Sequence, residues 1–249
     1  MVLEIDNFKN QLITKLLIMK NGSVLETINQ IPVLSVLNSE ELAALLVNTK
    51  KREIPKFDYV YSPGSSPENI YFLIKGMVKI AIQSEHGREA IKSILDAPCM
   101  FGELAITAES FHNEFAIAMQ EGAVVLEMEI KYFRELMEKN HKVSEKVIVF
   151  LGNKVKQIER RLESQIFKNA RDRIIDFITE SACKRGYRVG YDWFLKRNLT
   201  QQEIANYTGT SRQTVTEVFN ELKKANQIYF TRNKILIRDS FNLVCDEVV

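Results

Sequence analysis

The stretch "LTQQEIANYTGTSRQTVTEVFNEL", residues 199–222, fits one local architecture, two short helices joined by a tight turn. Thr200 is followed three residues later by Glu203, a capping box in which threonine accepts from the N3 amide and glutamate reaches back to the cap amide. Ile204, Ala205 and Thr208 then fall on one face, and the small Ala205 lets a second helix cross closely. Gly209 stands where the turn needs a positive φ, and Ser211 is placed to cap the next helix. In that second helix Val215, Val218, Phe219 and Leu222 recur at i, i+3, i+4 and i+7, one buried stripe. Its other face carries Arg212, Gln213, Thr216, Glu217 and Asn220, all able to hydrogen-bond. "QIYFTRNKILIRD" (227–239) follows as two strands joined by Arg232, Asn233 and Lys234, a hairpin wing with a basic tip suited to phosphates. A helical pair packed without a ligand is the alternative, and it explains neither the polar face nor the wing.

An acid on a face meant for DNA needs a reason. Near phosphates Glu217 is repelled, but aimed at base edges it can accept from cytosine N4, or hold Arg212 in place for guanine O6 and N7. Gln213 suits adenine through a bidentate contact. The expected partner is double-stranded DNA, met by Thr200, Ser211, Arg212, Gln213, Thr216, Glu217, Arg232 and Lys234.

The rest of the chain is consistent with two domains. At 249 residues and 45% hydrophobic composition it can bury substantial cores. Residues 1–141 hold 14 Lys and Arg against 19 Asp and Glu, a balance of −5, whereas residues 142–249 hold 20 against 13, a balance of +7. An acidic half is joined to a basic half, the arrangement of a sensing or interaction domain beside one that meets a polyanion. Cys99, Cys183 and Cys245 are odd in number and far apart, so neither a disulfide framework nor a zinc site is expected, and a reducing cytoplasm fits. The start "MVLEIDNF" lacks the pattern of a signal peptide, and "QLITKLLIM" is too short and too interrupted by Lys15 to span a bilayer, so no membrane partner is expected.

Residues 1–30 have a weak helical pattern, and "NSEELAALLVNT" (38–49) is a short helix capped by Asn38 or Ser39. From Tyr59 the pattern becomes short β-runs, "FDYVYS", "NIYFLIKG", "MVKIAIQS", "EAIKSIL", "EFAIAMQ" and "AVVLEME", with turn signals at Pro63-Gly64, Lys75-Gly76 and Glu85-His86-Gly87. That spacing predicts an antiparallel barrel or jelly roll. After Lys131 the period is helical again. Ile148, Leu151, Val155, Ile158 and Leu162 form an a/d seam with charged residues on the other faces, which favours a homodimer contact over residues 148–165 above ordinary packing within one domain. "RDRIIDFITESAC" (171–183) reads as a further helix, followed by a loop through Gly186 and Gly190.

This order of parts resembles the Crp/Fnr family of bacterial transcription regulators over roughly residues 28–240. The marks are Gly64, Gly76 and Gly87 in the barrel turns, "FGELA" (101–105), the long helix, and "SRQTV" (211–215) opening the recognition helix. The resemblance implies an α+β fold: an N-terminal antiparallel β-roll of the cyclic-nucleotide-binding, jelly-roll type, a long dimerisation helix, and a C-terminal winged helix-turn-helix. The expected domains are residues 1–135, 136–168 and 169–249. A homodimer on an inverted-repeat operator, and RNA polymerase as a partner, are likewise implied.

In cyclic-nucleotide-binding members the ligand cassette begins Gly-Glu-Leu, here Gly102, Glu103 and Leu104, and ends in Arg-Ser or Arg-Thr. Here Asn113 and Glu114 stand in those places. Loss of the arginine removes the partner of the cyclic phosphate, and a carboxylate ~4 Å from it would add repulsion of roughly 4 kcal/mol at an effective dielectric of ~20. That is close to ~1,000-fold in affinity. Ile158 falls where nucleotide binders present a hydroxyl, and Pro98 replaces the usual glycine before the cassette. The expectation is that cAMP does not bind and that no cofactor is held; any other effector is unspecified. Gly102 and Glu103 read more readily as a turn and its anchor than as ligand contacts.

Glu217 replaces the arginine common five residues after Arg212, which implies an operator related to but distinct from those of better-known members. Iron-sulfur ligation of the kind found in oxygen-sensing relatives needs four cysteines. His86, His112 and His141 do not form a metal set, and His112 reads as an exposed loop residue, so an enzymatic barrel has little support. The rivals are a cyclic-nucleotide-responsive regulator and a nucleotide-binding regulatory subunit that does not bind DNA.

Overall fold

The computed structural model describes residues 22–107, 110–196, 199–231 and 234–241, with Leu243 and Cys245. Two compact units result: one comprises the chain up to Ile82 and Ser93–Val155, the other Gln83–Lys92 and the chain from Lys156 on.

The first unit starts with α1 (Gly22–Asn29) and α2 (Ser39–Val47). Of the two candidate caps for α2, Asn38 is the one used: its side chain accepts from Glu40 and Glu41, and Glu41 completes the box. The strands are β1 (Thr49–Ile54), β2 (Tyr59–Tyr61), β3 (Asn69–Gln83), β4 (Glu89–Asp96), β5 (Cys99–Phe101) and β6 (Phe115–Glu129). They form an antiparallel roll in the order β1-β6-β3-β4, with β2 on β6 and β5 on β3. A 3-10 turn, Glu103–Thr107, follows β5, and α3 (Ile130–Lys139) and α4 (His141–Phe167) follow β6.

Two readings of the β-runs are corrected. Lys75-Gly76 is no turn: β3 runs through it, and β6 runs through Gly122. The pairing of the two strands shifts register on either side of Gly76. Both glycines have positive φ, +87° and +72°, and a Cβ on Gly76 would lie 2.1 Å from the Gly122 carbonyl oxygen. Backbone approach this close is open only to glycine, so the signal that reads as a turn is a bulge inside two long strands. The other correction is β1, whose polar sequence "TKKREI" conceals a strand buried only at Thr49 and Ile54.

Two clusters hold the unit together. Tyr71, Leu73, Val78, Phe101 and Val125 fill the roll. Ile28, Leu34, Leu46, Phe72, Phe133, Val143 and Val147 seal its outer face beneath α1–α4.

The second unit contains α5 (Ala170–Arg185, capped by Asn169), α6 (Gln201–Thr208) and α7 (Arg212–Lys224). A four-stranded antiparallel sheet, β7-β8-β10-β9, joins β7 (Tyr187–Val189) and β8 (Asp192–Lys196) to the wing strands β9 (Ile228–Phe230) and β10 (Lys234–Ile237). The expected loop through Gly186 and Gly190 is therefore a hairpin, with Gly190 at its tip at φ +64°. Cys183, on α5, is disulfide-bonded to Cys245, against the expectation of no disulfide. Spacing along the sequence does not record where the chain returns after the wing, and here it returns to α5. Among the described residues no helix is long and apolar enough to cross a membrane.

Candidate nucleic-acid interface

The frame of the helix pair is as the sequence requires. Thr200 caps α6 through the Glu203 amide, and Glu203 accepts from the Thr200 amide at 2.8 Å. The Thr200 hydroxyl also donates to Glu203 at 2.9 Å, so its proton is already placed. Gly209 ends α6 in the left-handed region, φ 65° and ψ 39°. Ser211 caps α7 through the Thr214 amide at 3.0 Å. Ile204, Ala205 and Thr208 are buried on α6, as are Val215, Val218, Phe219 and Leu222 on α7. Phe219 meets Phe230 of the wing edge-on, with ring centroids 5.2 Å apart.

Three residues that sequence reasoning missed fix this frame. Arg173 of α5 donates to the carbonyls of Thr208 at 2.9 Å, Lys168 at 2.8 Å and Gly209 at 3.3 Å, so one guanidinium holds the turn between the helices. Arg161 of α4 donates to the carbonyls of Ile91 and Lys92 at 2.5 Å and of Tyr207 at 2.6 Å, and its guanidinium lies 4.5 Å from the Tyr207 ring centre. Burial, more than any neighbouring charge, pushes the Tyr207 phenol up to about 12. Gln201 accepts from Thr216 at 3.0 Å, linking the start of α6 to the middle of α7. An arginine bound to carbonyls leaves no pattern in a sequence, because backbone acceptors are present at every residue.

Arg212, Gln213, Glu217 and Asn220 are exposed on the outer face of α7. Within that face Gln213 Nε2 donates to Glu217 Oε1 at 2.9 Å. Among the described residues, Glu217 thus takes its hydrogen bond from Gln213 and not, as one reading had it, from Arg212. Thr216 is half-buried, and its hydroxyl faces the Arg212 carbonyl at 2.9 Å as well as Gln201. Lys234 is exposed at the start of β10, where its carbonyl closes the hairpin onto the Thr231 amide. Arg232 lies outside the described residues.

The cassette of the first unit is built differently. Gly102 has φ +82°, and a Cβ there would lie 2.7 Å from the Tyr71 ring. Glu103 Oε1 pairs with Lys154 at 3.0 Å, while Oε2 is buried without a hydrogen-bond partner among the described residues. Leu104 is half-buried, and its carbonyl accepts from Thr107. Asn113 is exposed. Glu114 is only 6% exposed and accepts from the Tyr61 hydroxyl at 2.9 Å. His112 is no exposed loop residue: it is 2% exposed and stacks on Tyr61 with centroids 4.0 Å apart. The aromatic ring of Tyr61 supplies the apolar surface that draws the imidazole inward. Burial lowers the His112 pKa against the opposing pull of Glu114, and burial, followed by Glu114, raises that of Tyr61. Ile158 is 66% exposed.

Two family models match the chain, the cyclic nucleotide-binding domain over residues 51–140 and the Crp-like helix-turn-helix domain over residues 172–244. A CRP-like cAMP-activated global transcriptional regulator of Mycobacterium tuberculosis is 27% identical over 202 residues, 81% of this chain and 90% of the relative. A global nitrogen regulator of Synechocystis is 25% identical over 72% of this chain and 80% of its own length. Among solved structures, a CooA variant from Carboxydothermus hydrogenoformans superposes with a TM-score of 0.71 at 24% identity, covering 86% of this chain and 94% of its own. FixK2 from Bradyrhizobium japonicum superposes with a TM-score of 0.69 at 17% identity over 80% of this chain and 99% of its own. These structural likenesses extend the shared fold over both units.

Proposed function

The chain belongs to the Crp/Fnr family and is a DNA-binding transcription regulator, and from that premise we propose that it acts as a homodimer on an inverted-repeat operator through α7. The observation that carries this reading is the division of α7: Val215, Val218, Phe219 and Leu222 are buried, while Arg212, Gln213 and Glu217 stand exposed. Ser211 caps that helix, Thr200 caps α6 and Lys234 opens β10 of the wing, with Arg232 two residues before it in sequence. A helix whose inner stripe is locked and whose outer face is polar matches major-groove readout.

The dimer reading rests on α4. Ile148, Val155, Ile158 and Leu162 are between 54% and 68% exposed in the single chain. A stripe of large aliphatic groups along one helix face is stabilised by burial against its own copy. Residues 136–168 then serve as the dimerisation segment between a sensor, residues 1–135, and the DNA-binding part, residues 169–249. The family premise supports reading the chain as a cytoplasmic regulator without enzymatic activity that works with RNA polymerase.

The roll is proposed not to take cAMP. The M. tuberculosis and Escherichia coli relatives are named as cAMP-activated. Here Asn113, exposed, and Glu114, a buried carboxylate that accepts a hydrogen bond from Tyr61, stand in the places of the phosphate-binding pair. An effector of other chemistry would act by shifting an equilibrium between two arrangements of the dimer. Gel shifts with a randomised inverted-repeat library test the main reading. Enrichment of one palindromic site is expected, and binding that is salt-labile and blind to sequence would overturn it in favour of a non-DNA regulatory subunit. Micromolar binding of cAMP by calorimetry would overturn the reading of the roll.

A further inference from the structure

The hydrogen bond between Gln213 and Glu217 sets what α7 can read, on the premise that α7 meets bases. Of the two ends of the Gln213 amide, only the NH2 group can face a carboxylate, since the carbonyl would repel it. The 2.9 Å bond therefore commits one N–H of Gln213. A glutamine that reads adenine needs its carbonyl and an N–H together as a fork on N6 and N7. Here one N–H is turned to Glu217, and the amide keeps its carbonyl and a second N–H. What the pair adds at Glu217 is a carboxylate held in place by Gln213, with its other oxygen turned outward as an acceptor that carries negative charge.

Two base groups donate in the major groove, adenine N6 and cytosine N4. Adenine N6 lies between two acceptors, its own N7 and the O4 of the paired thymine. Cytosine N4 has an acceptor, guanine O6, on one side and a C5–H on the other. A carboxylate is repelled less beside cytosine. We propose that Glu217 selects cytosine through N4, with Glu217 making the contact and Gln213 positioning it. Arg212, a donor fork, makes the complementary selection of guanine. Five residues of helix separate Arg212 and Glu217, ~7.5 Å along the axis, about two base-pair steps. Thr216, between them, adds no competing donor, because its hydroxyl is directed to Gln201 and the Arg212 carbonyl.

The test is a binding selection on randomised half-sites with the full-length wild type, E217Q and Q213A, followed by affinities for single-base operator variants. Wild type is expected to enrich cytosine about two steps from a guanine, with about tenfold weaker binding when that cytosine is replaced. E217Q keeps the guanine preference but loses the cytosine preference to within about twofold. Q213A keeps its thermal stability and its guanine preference while cytosine discrimination falls to about threefold, a loss confined to one position of the site. Unchanged cytosine selection in E217Q, or enrichment of adenine at that position by wild type, overturns the proposal. Unchanged cytosine discrimination in Q213A overturns the positioning role. A wild type without any base preference breaks the reading of α7 as a recognition helix, a failure distinct from the loss of this one contact.

Discussion

Glu114 in the roll and Glu217 on α7 are carboxylates at two positions where the family resemblance leads one to expect other residues, and the fold treats them in opposite ways. Glu114 is buried and takes a hydrogen bond from Tyr61; Glu217 is exposed and takes one from Gln213. A buried carboxylate has given up its water and depends on its protein donors. An exposed one keeps its water and is free to exchange it for a base. The same functional group is thus structural in one unit and available for recognition in the other.

The sharpest way to break the comparison is to remove the support under the exposed face. Phe219 is fully buried against Phe230, and Phe219→Ala is expected to destabilise the winged unit by about 3–5 kcal/mol. Operator binding should be lost together with the helical signal in thermal unfolding. Retained affinity would mean that the polar face of α7 does not need its buried stripe.

A smaller effect tests the buried carboxylate. Tyr61→Phe removes the hydroxyl that donates to Glu114 at 2.9 Å, and a cost of about 2 kcal/mol in urea unfolding is expected. An unchanged midpoint would show that Glu114 is held by other groups. His112, stacked on Tyr61, gives the same region a pH signature. Its pKa is lowered from 6.5 in the folded chain, so below that value the unfolded chain binds a proton that the folded one refuses. Stability should therefore fall as pH drops below about 6.5, and His112→Gln should flatten that slope.

These residues also show how far the sequence could be read. The helix pair was legible because each of its requirements has a local sign: a cap and its glutamate, a small residue, a turn glycine, a stripe at helical spacing. Asn38 was legible for the same reason. The roll was legible as a set of strands but not in its connections. Lys75-Gly76 has the composition of a turn, and only the facing strands reveal that Gly76 lies against the Gly122 carbonyl and Gly122 against that of Ile54. The burial of His112 and the anchoring by Arg173 lay beyond reach, since a stacking partner and three carbonyl acceptors are supplied by residues distant in sequence. The pairing of Gln213 with Glu217 was within reach. Four-residue spacing on a helix brings side chains together, and Gln213 stands one turn before Glu217.

The smallest expected effect is the one that separates the two carboxylates most cleanly. In Glu217→Ala the only bond lost among the described residues is an exposed i, i+4 contact, worth about 0.2–0.5 kcal/mol. For a domain of this size that shifts the melting temperature by less than about 4 °C. Alanine also favours the helix more than glutamate does, which offsets part of the loss. Thermal unfolding should therefore hardly distinguish Glu217→Ala from wild type, while Tyr61→Phe shifts visibly under the same conditions. A large destabilisation by Glu217→Ala would place this side chain in the architecture of α7, and any change it caused in operator choice would then be secondary to a disturbed helix.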